Sequence, residues 1–176
     1  DQRATALETL APYLNMPPQD AIQVLLTAET PWALVNRAVT DVRRAPDDDV
    51  ERVSQARLGE TVRILEEQEE WAYVQITHDG YLGWLHQAAL WRGDAATVQG
   101  YQAQCSVWVR ASLARLYTTP APDAPLLGYA PLGVTLPPAG DAGRYKALRL
   151  PDGRVGYALA ADVAPPEERL TPDAAG

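Results

Sequence analysis

From residue 32 onward the apolar positions recur every second residue in short runs, the period of half-buried strands. Leu34-Val35 through Val42 alternates in this way, with Val35, Val39 and Val42 as candidate core positions. The stretch Ala45-Pro46-Asp47-Asp48-Asp49 predicts a polar turn. Val62-Arg63-Ile64-Leu65 predicts a strand, Glu66 to Glu70 a hairpin tip, and Trp71-Ala-Tyr73-Val-Gln75-Ile76 the returning strand. Asp79-Gly80 is a strong turn signal ahead of Tyr81-Leu82-Gly83-Trp84-Leu85. Strands this short, separated by turns this frequent, predict a sandwich or a small barrel.

The pattern then repeats. A shift of 74 residues places Pro46 on Pro120, Ala56 on Ala130, Leu58 on Leu132, Gly59 on Gly133, Val62 on Leu136, Trp71 on Tyr145 and Val74 on Leu148. After a one-residue gap in a turn the shift becomes 73, and Gly80 meets Gly153, Gly83 meets Gly156, Trp84 meets Tyr157 and Leu90 meets Val163. A single register held this long marks a tandem duplication. Each copy is about 60 residues, for which a five-stranded barrel is the economical solution. The lead segment differs: Leu7, Leu10, Tyr13 and Leu14 share one helical face until Pro17-Pro18, and Ile22, Leu25 and Leu26 share another before Pro31.

The expected organisation is therefore mainly β: a helical lead over 1–31, a first barrel over 32–95, a second over 96–166 and a linker over 167–176. The 15 prolines exceed the average of about 5% and cluster with Asp and Gly, which favours many turns over long helices. No apolar run approaches the roughly 20 residues that cross a bilayer, so no membrane insertion is expected. Net charge is −8, against a nucleic-acid partner. Residues 32–95 carry 12 acids and 7 bases, a net of −5, whereas 96–166 carry 4 acids and 6 bases, a net of +2.

Several elements of the first copy carry a resemblance. Gln55-Ala-Arg-Leu58-Gly59-Glu60, Trp71-Ala-Tyr-Val74 and Gly80-Tyr81-Leu-Gly83-Trp84-Leu85 resemble a bacterial SH3-type domain. The second copy, with Leu132-Gly133, Tyr145 and Gly153-Arg-Val-Gly156-Tyr157, is a weaker example. Two such domains in tandem look like the non-catalytic N-terminal half of NlpC/p60 cell-wall peptidases. The resemblance implies two SH3-like barrels that help a cysteine endopeptidase act on peptidoglycan stem peptides at the γ-D-glutamyl-diamino-acid bond. It implies a C-terminal peptidase domain in the parent protein, beyond Gly176, with the cell envelope favoured over the cytoplasm. It also implies that the first barrel holds the free amine of the peptide. Tyr81 matches the tyrosine of that amine pocket. A glutamate expected two positions before Gln55 falls on Val53 instead, and Glu51 or an acid of the Asp47–Asp49 loop would have to replace it.

Among chemically active residues, Cys105 is the one cysteine. In Gln104-Cys105-Ser106-Val107-Trp108-Val109 it alternates like the first strand of the second copy, and both His78 and His86 precede it. A structural thiol is the default and a catalytic site is not expected. Neither histidine has partners at metal-ligand spacing, and no cofactor is expected. Glu66-Glu67-Gln68-Glu69-Glu70 reads as a solvated tip. Trp71 and Trp84 either clamp the barrel end or line a peptide groove, and with Tyr81 and Glu51 they form the candidate substrate-binding set. Tyr145 and Tyr157 read as structural.

Overall fold

The computed structural model describes Thr9 and residues 31–165. The helical lead (apart from Thr9 and Pro31) and the linker lie outside the described residues. The first half contains β1 (Trp32–Val35), β2 (Val39–Arg43), β3 (Arg52–Arg57), β4 (Thr61–Gln68), β5 (Trp71–Ile76), β6 (Leu82–His86) and β7 (Leu90–Gly93). One helix, α1 (Ala95–Gln104), follows. The second half contains β8 (Val107–Val109), β9 (Leu113–Tyr117), β10 (Leu126–Pro131), β11 (Thr135–Leu136), β12 (Pro138–Ala142), β13 (Tyr145–Arg149), β14 (Val155–Leu159) and β15 (Val163–Ala164). The chain is mainly β, as the strand periodicity predicts, and SH3-like, as the resemblance implies.

The first half is a single sheet in the order β3-β2-β6-β5-β4-β1-β7. It has seven strands rather than the five anticipated, because β1 and β7 extend the ladder beyond β4, and no backbone pairing joins its edges. The second half repeats this order in two pieces, β10-β9-β14-β13-β12 and β11-β8-β15. The break falls inside the counterpart of β4, at Pro137-Pro138. In the first half, Ile64 N–H donates to Pro31 O at 2.7 Å. Pro138, at the matching position, has no N–H to give, so the strand divides.

The duplication extends to individual bonds. Trp71 pairs with His86, Tyr73 with Trp84 and Val74 with Gly83; Tyr145 pairs with Leu159, Ala147 with Tyr157 and Leu148 with Gly156. Gly59 N–H donates to Val35 O at 2.9 Å, and Gly133 N–H to Val109 O at 2.8 Å. These two glycines have φ of 80° and 81°, a left-handed turn that costs any residue with a Cβ. Gly83 is required for a different reason. A Cβ there would lie 2.3 Å from Val42 Cγ1 and 3.0 Å from Arg43 O, and at Gly156 it would meet the Cβ of Leu116, the residue matching Val42, at 3.2 Å.

Each half has its own core. Ala33, Val35, Val42, Val62, Ile64, Val74, Ile76 and Leu85 pack in the first. Val107, Val109, Leu116, Leu136, Leu148 and Val163 pack in the second, and with them packs Leu58 of the first half. Leu58 is 5% exposed, whereas Leu132, its counterpart, is 50% exposed. The helix α1 strengthens the junction. Val98 and Tyr101 pack on Leu34, Tyr101 Oη donates to Arg149 O at 3.0 Å, and Gln102 Nε2 donates to Gly59 O at 2.6 Å.

Truncating Leu58 leaves a cavity in the second core, so Leu58→Ala should lower stability by roughly 2–4 kcal/mol. Leu132→Ala, in the same local sequence setting, should change it by less than about 0.5 kcal/mol. Urea unfolding midpoints of the two variants measure this, and equal shifts would contradict the packing described.

Candidate functional site

Strand alternation sorts the candidate residues. On β5 and β6, Ala72, Val74, Ile76 and Leu85 point into the core. The cross-strand pairs Trp71–His86, Tyr73–Trp84 and Gln75–Leu82 form a row on the opposite, outer face. Trp71 is 5% exposed and stacks on His86, with ring centroids 3.8 Å apart and planes inclined by 29°. Tyr73 and Trp84 lie 5.2 Å apart at 40°. Trp84 is half-buried and sits beside Arg43 of β2.

A polar network borders the row. Asp41 accepts from Arg43 Nη2 and Gln55 Nε2, both at 3.1 Å, and Arg43 Nη1 donates to Val50 O at 2.8 Å. Asp48, in the turn between β2 and β3, reaches His86 Nε2 at 3.1 Å. The acidic stretch is only partly a tip: Glu66, Glu67 and Gln68 belong to β4, opposite Tyr73, Ala72 and Trp71, and Glu69 with φ of 50° makes the turn. Glu67 is ion-paired with Arg92.

Tyr81 lies elsewhere. Ile76 N–H donates to Tyr81 O at 2.9 Å, which puts Tyr81 opposite a core residue and on the core-facing side of the hairpin, at the end of the sheet. The residue is 42% exposed. Asp79 Oδ1 fixes its backbone N–H at 2.9 Å, and its hydroxyl donates to Val53 O at 3.2 Å. Positions 81 and 53, the two that the resemblance pairs in an amine pocket, are thus in contact. Position 53 offers a carbonyl oxygen, while its side chain packs on the first core. The Glu51 carboxylate pairs with Arg44 Nη2 at 3.0 Å, and both side chains are exposed. The structure brings Trp71 and Trp84 into one row and places Tyr81 and Glu51 apart from it.

Cys105 corrects an expectation. It does not open a strand: it caps the C-terminus of α1, and β8 begins at Val107. Asp94 opens this helix: its Oδ1 accepts from Thr97 N–H at 2.7 Å, the geometry of an N-cap. The Cys105 thiol donates to Tyr101 O at 3.5 Å, and burial pushes its pKa up to about 11. A nucleophilic cysteine needs the opposite shift. Among the described residues no cluster of His, Cys, Asp and Glu is placed to hold a metal ion. No helix is long and apolar enough to cross a membrane among those residues.

With this geometry in hand, residues 42–90 match the sequence model of the bacterial dipeptidyl-peptidase Sh3 domain, which makes this part of the first copy a bacterial SH3 domain. Among solved structures, the chain is similar to an NlpC/P60 family protein from Bacillus cereus, at 17% identity and a TM-score of 0.62 over 76% of this chain and 55% of that one. It is also similar to an NlpC/P60 endopeptidase from Photobacterium damselae subsp. piscicida, at 11% identity and a TM-score of 0.53 over 92% of this chain and 38% of that one. At such identities the likeness is one of fold. The chain spans about half the length of the first of these structures and less of the second. No curated protein sequence matches it.

The Cys105 environment yields a pH dependence. Its pKa is raised on folding from 9.0 to about 11, so the folded state holds the proton more tightly. The associated stability is fully present below pH 9 and is lost as the pH rises from 9 through 11. Relative to Cys105→Ala, the parent chain should lose stability across that window. At pH 8 its alkylation by iodoacetamide should be about a hundredfold slower than in the urea-unfolded chain. Equal alkylation rates would refute the burial argument.

Proposed function

We propose that this chain is the non-catalytic recognition module of a bacterial cell-wall hydrolase, with its first half contacting the amino end of a peptidoglycan stem peptide. The observation that carries the reading is the contact of the Tyr81 hydroxyl with Val53 O at 3.2 Å. Two oxygens converge at a partly exposed sheet end, and an ammonium group supplies the donors that both can accept. The bacterial SH3 match over residues 42–90 and the NlpC/P60 fold likeness support the setting. The cleavage step would belong to a C-terminal peptidase domain of the parent protein, in keeping with the chain spanning 55% of the Bacillus cereus structure. The raised Cys105 pKa is in keeping with this division of labour.

The missing carboxylate at position 53 changes the chemistry of the contact. A Tyr hydroxyl and a backbone carbonyl hold an ammonium by charge–dipole hydrogen bonds, without a formal ion pair, so the site is weaker and less sensitive to salt than a carboxylate pocket. The same observation favours a second reading, a wall-anchoring or protein-binding adaptor with no small-peptide pocket. That adaptor would bind intact murein sacculi, or a protein, without preference for free stem peptides.

Titrating a stem peptide with a free N-terminal L-Ala into the 15N-labelled chain separates the two. The recognition reading expects shifts at Tyr81 and its neighbours with a Kd of about 1 mM. N-acetylation of the peptide, or Tyr81→Phe, should weaken binding about tenfold, the effect of one hydrogen bond to a charged group. Sacculus binding without any such shift would replace this reading with the adaptor.

A further inference from the structure

The two copies build the same hairpin with different surface chemistry. In the first, β2 and β3 pair Val39 with Arg57 and Asp41 with Gln55. In the second, β9 and β10 pair the matching residues in the same register, Leu113 with Pro131 and Arg115 with Tyr129. Tyr117 stands opposite Leu126, as Arg43 stands opposite Arg52. The shift of 74 therefore exchanges Arg57 for Pro131, Gln55 for Tyr129, Arg52 for Leu126 and Arg43 for Tyr117. The polar network of Asp41 with Arg43, Arg52 and Gln55 gives way to apolar and aromatic side chains.

Leu113, Leu126 and Tyr129 are exposed, and Tyr117 is half-buried. Cross-strand neighbours lie about 5 Å apart and same-face steps along a strand about 7 Å, so these side chains make one patch. The fold does not call for it, because the first copy forms the same hairpin from charged residues. Contiguous exposed apolar surface marks an interaction site. The ends of this hairpin carry opposite charges. Arg115 is on β9, and Asp123 is in the tip that joins β9 to β10. Both are exposed, and among the described residues no ion pair engages either side chain. The tip is held by Thr118 N–H, which donates to Pro125 O at 3.0 Å, and by Pro120, Pro122 and Pro125, whose rings fix φ.

We propose that this face binds the same face of a second copy of this chain. A two-fold axis lying across the strands, between Arg115 and the tip, turns one hairpin end for end over the other. Leu113, Tyr117, Leu126 and Tyr129 of the two copies then pack together, and Arg115 of each meets Asp123 of the other. A patch with a cation at one end and an anion at the other is its own complement under that operation. An acidic partner would satisfy Arg115 and oppose Asp123; a basic one would do the reverse. The patch is one hairpin wide, less than a standard interface buries, so the dimer is reversible.

The inference does not rest on the amine contact, since Tyr81 and Val53 belong to the first copy. Sedimentation equilibrium of the 176-residue chain tests it. The parent chain should show a monomer–dimer equilibrium with a Kd of about 100 μM. Leu126→Arg and Tyr129→Gln, each the residue of the first copy, should weaken it at least about tenfold with an unchanged thermal midpoint. Arg115→Asp or Asp123→Arg alone should also weaken it about tenfold by opposing like charges, and the two together should restore the parent affinity. A chain that stays monomeric at about 1 mM would overturn the proposal. So would a dimer indifferent to Leu126→Arg and Tyr129→Gln, or a double charge variant no tighter than the single ones. A monomer whose Leu126 and Tyr129 resonances respond only to murein sacculi would give the face to the wall and overturn it too.

Discussion

The insertion of Leu58 into the core of the second half is the contact on which the rest of the molecule depends. Each half has short strands and a core of about ten side chains, near the size at which an isolated domain is only marginally stable. The left-handed turn at Gly59 carries Leu58 out of the first half and into a cluster with Val107, Leu136 and Leu148. The helix α1 then ties the same turn down through Gln102 and reaches the second half through Tyr101. The result is a seam with buried side chains from both sides. A cleft lined by Asn36, Leu58 and Leu150 exists only because that seam is fixed.

The duplication was legible because backbone geometry dictates its markers. Gly59 and Gly133 are read alike since both occupy the same left-handed turn, and Gly83 and Gly156 since a neighbouring strand leaves no room for a Cβ. The asymmetry between Leu58 and Leu132 was not legible. Both stand before a glycine at the same point of the repeat, and whether such a leucine is buried depends on what the other half brings to it in space. The helix α1 was missed for a different reason. Only Val98 and Tyr101 are buried along it, with Gly100 between them, so its apolar periodicity is too sparse to register against the alternation of the flanking strands. Cys105 was misread as part of that alternation.

The candidate site shows where a linear motif misleads. Gly80-Tyr81-Leu82-Gly83-Trp84 reads as one unit along the chain, yet side chains three apart on a strand point to opposite faces. Trp84 joins Tyr73 on the outer face, and Tyr81 turns toward Val53 at the sheet end. Glu51, near the motif partner in sequence, is engaged by Arg44. The contact of positions 81 and 53 was legible from the resemblance, and the absence of a carboxylate there was legible from the residue itself. The stacking of His86 on Trp71 and its link to Asp48 were not, because they depend on where the acidic turn folds back.

The outer faces of the two copies differ in their aromatic and charged side chains. The outer row of the first half holds Trp71, Tyr73, Trp84 and His86; the matching positions of the second hold Tyr145, Ala147, Tyr157 and Leu159. Tyr145 is buried and meets Tyr117 edge-on at 6.2 Å, so this half has turned one aromatic of the row into packing and has an alanine where Tyr73 stands. Its acids are also fewer, 4 against 12. A half with a thinner outer face and a core that accepts a leucine from its neighbour acts as a buttress. At the seam its Leu116, Leu127 and Arg154 complete a surface that the first half alone does not have.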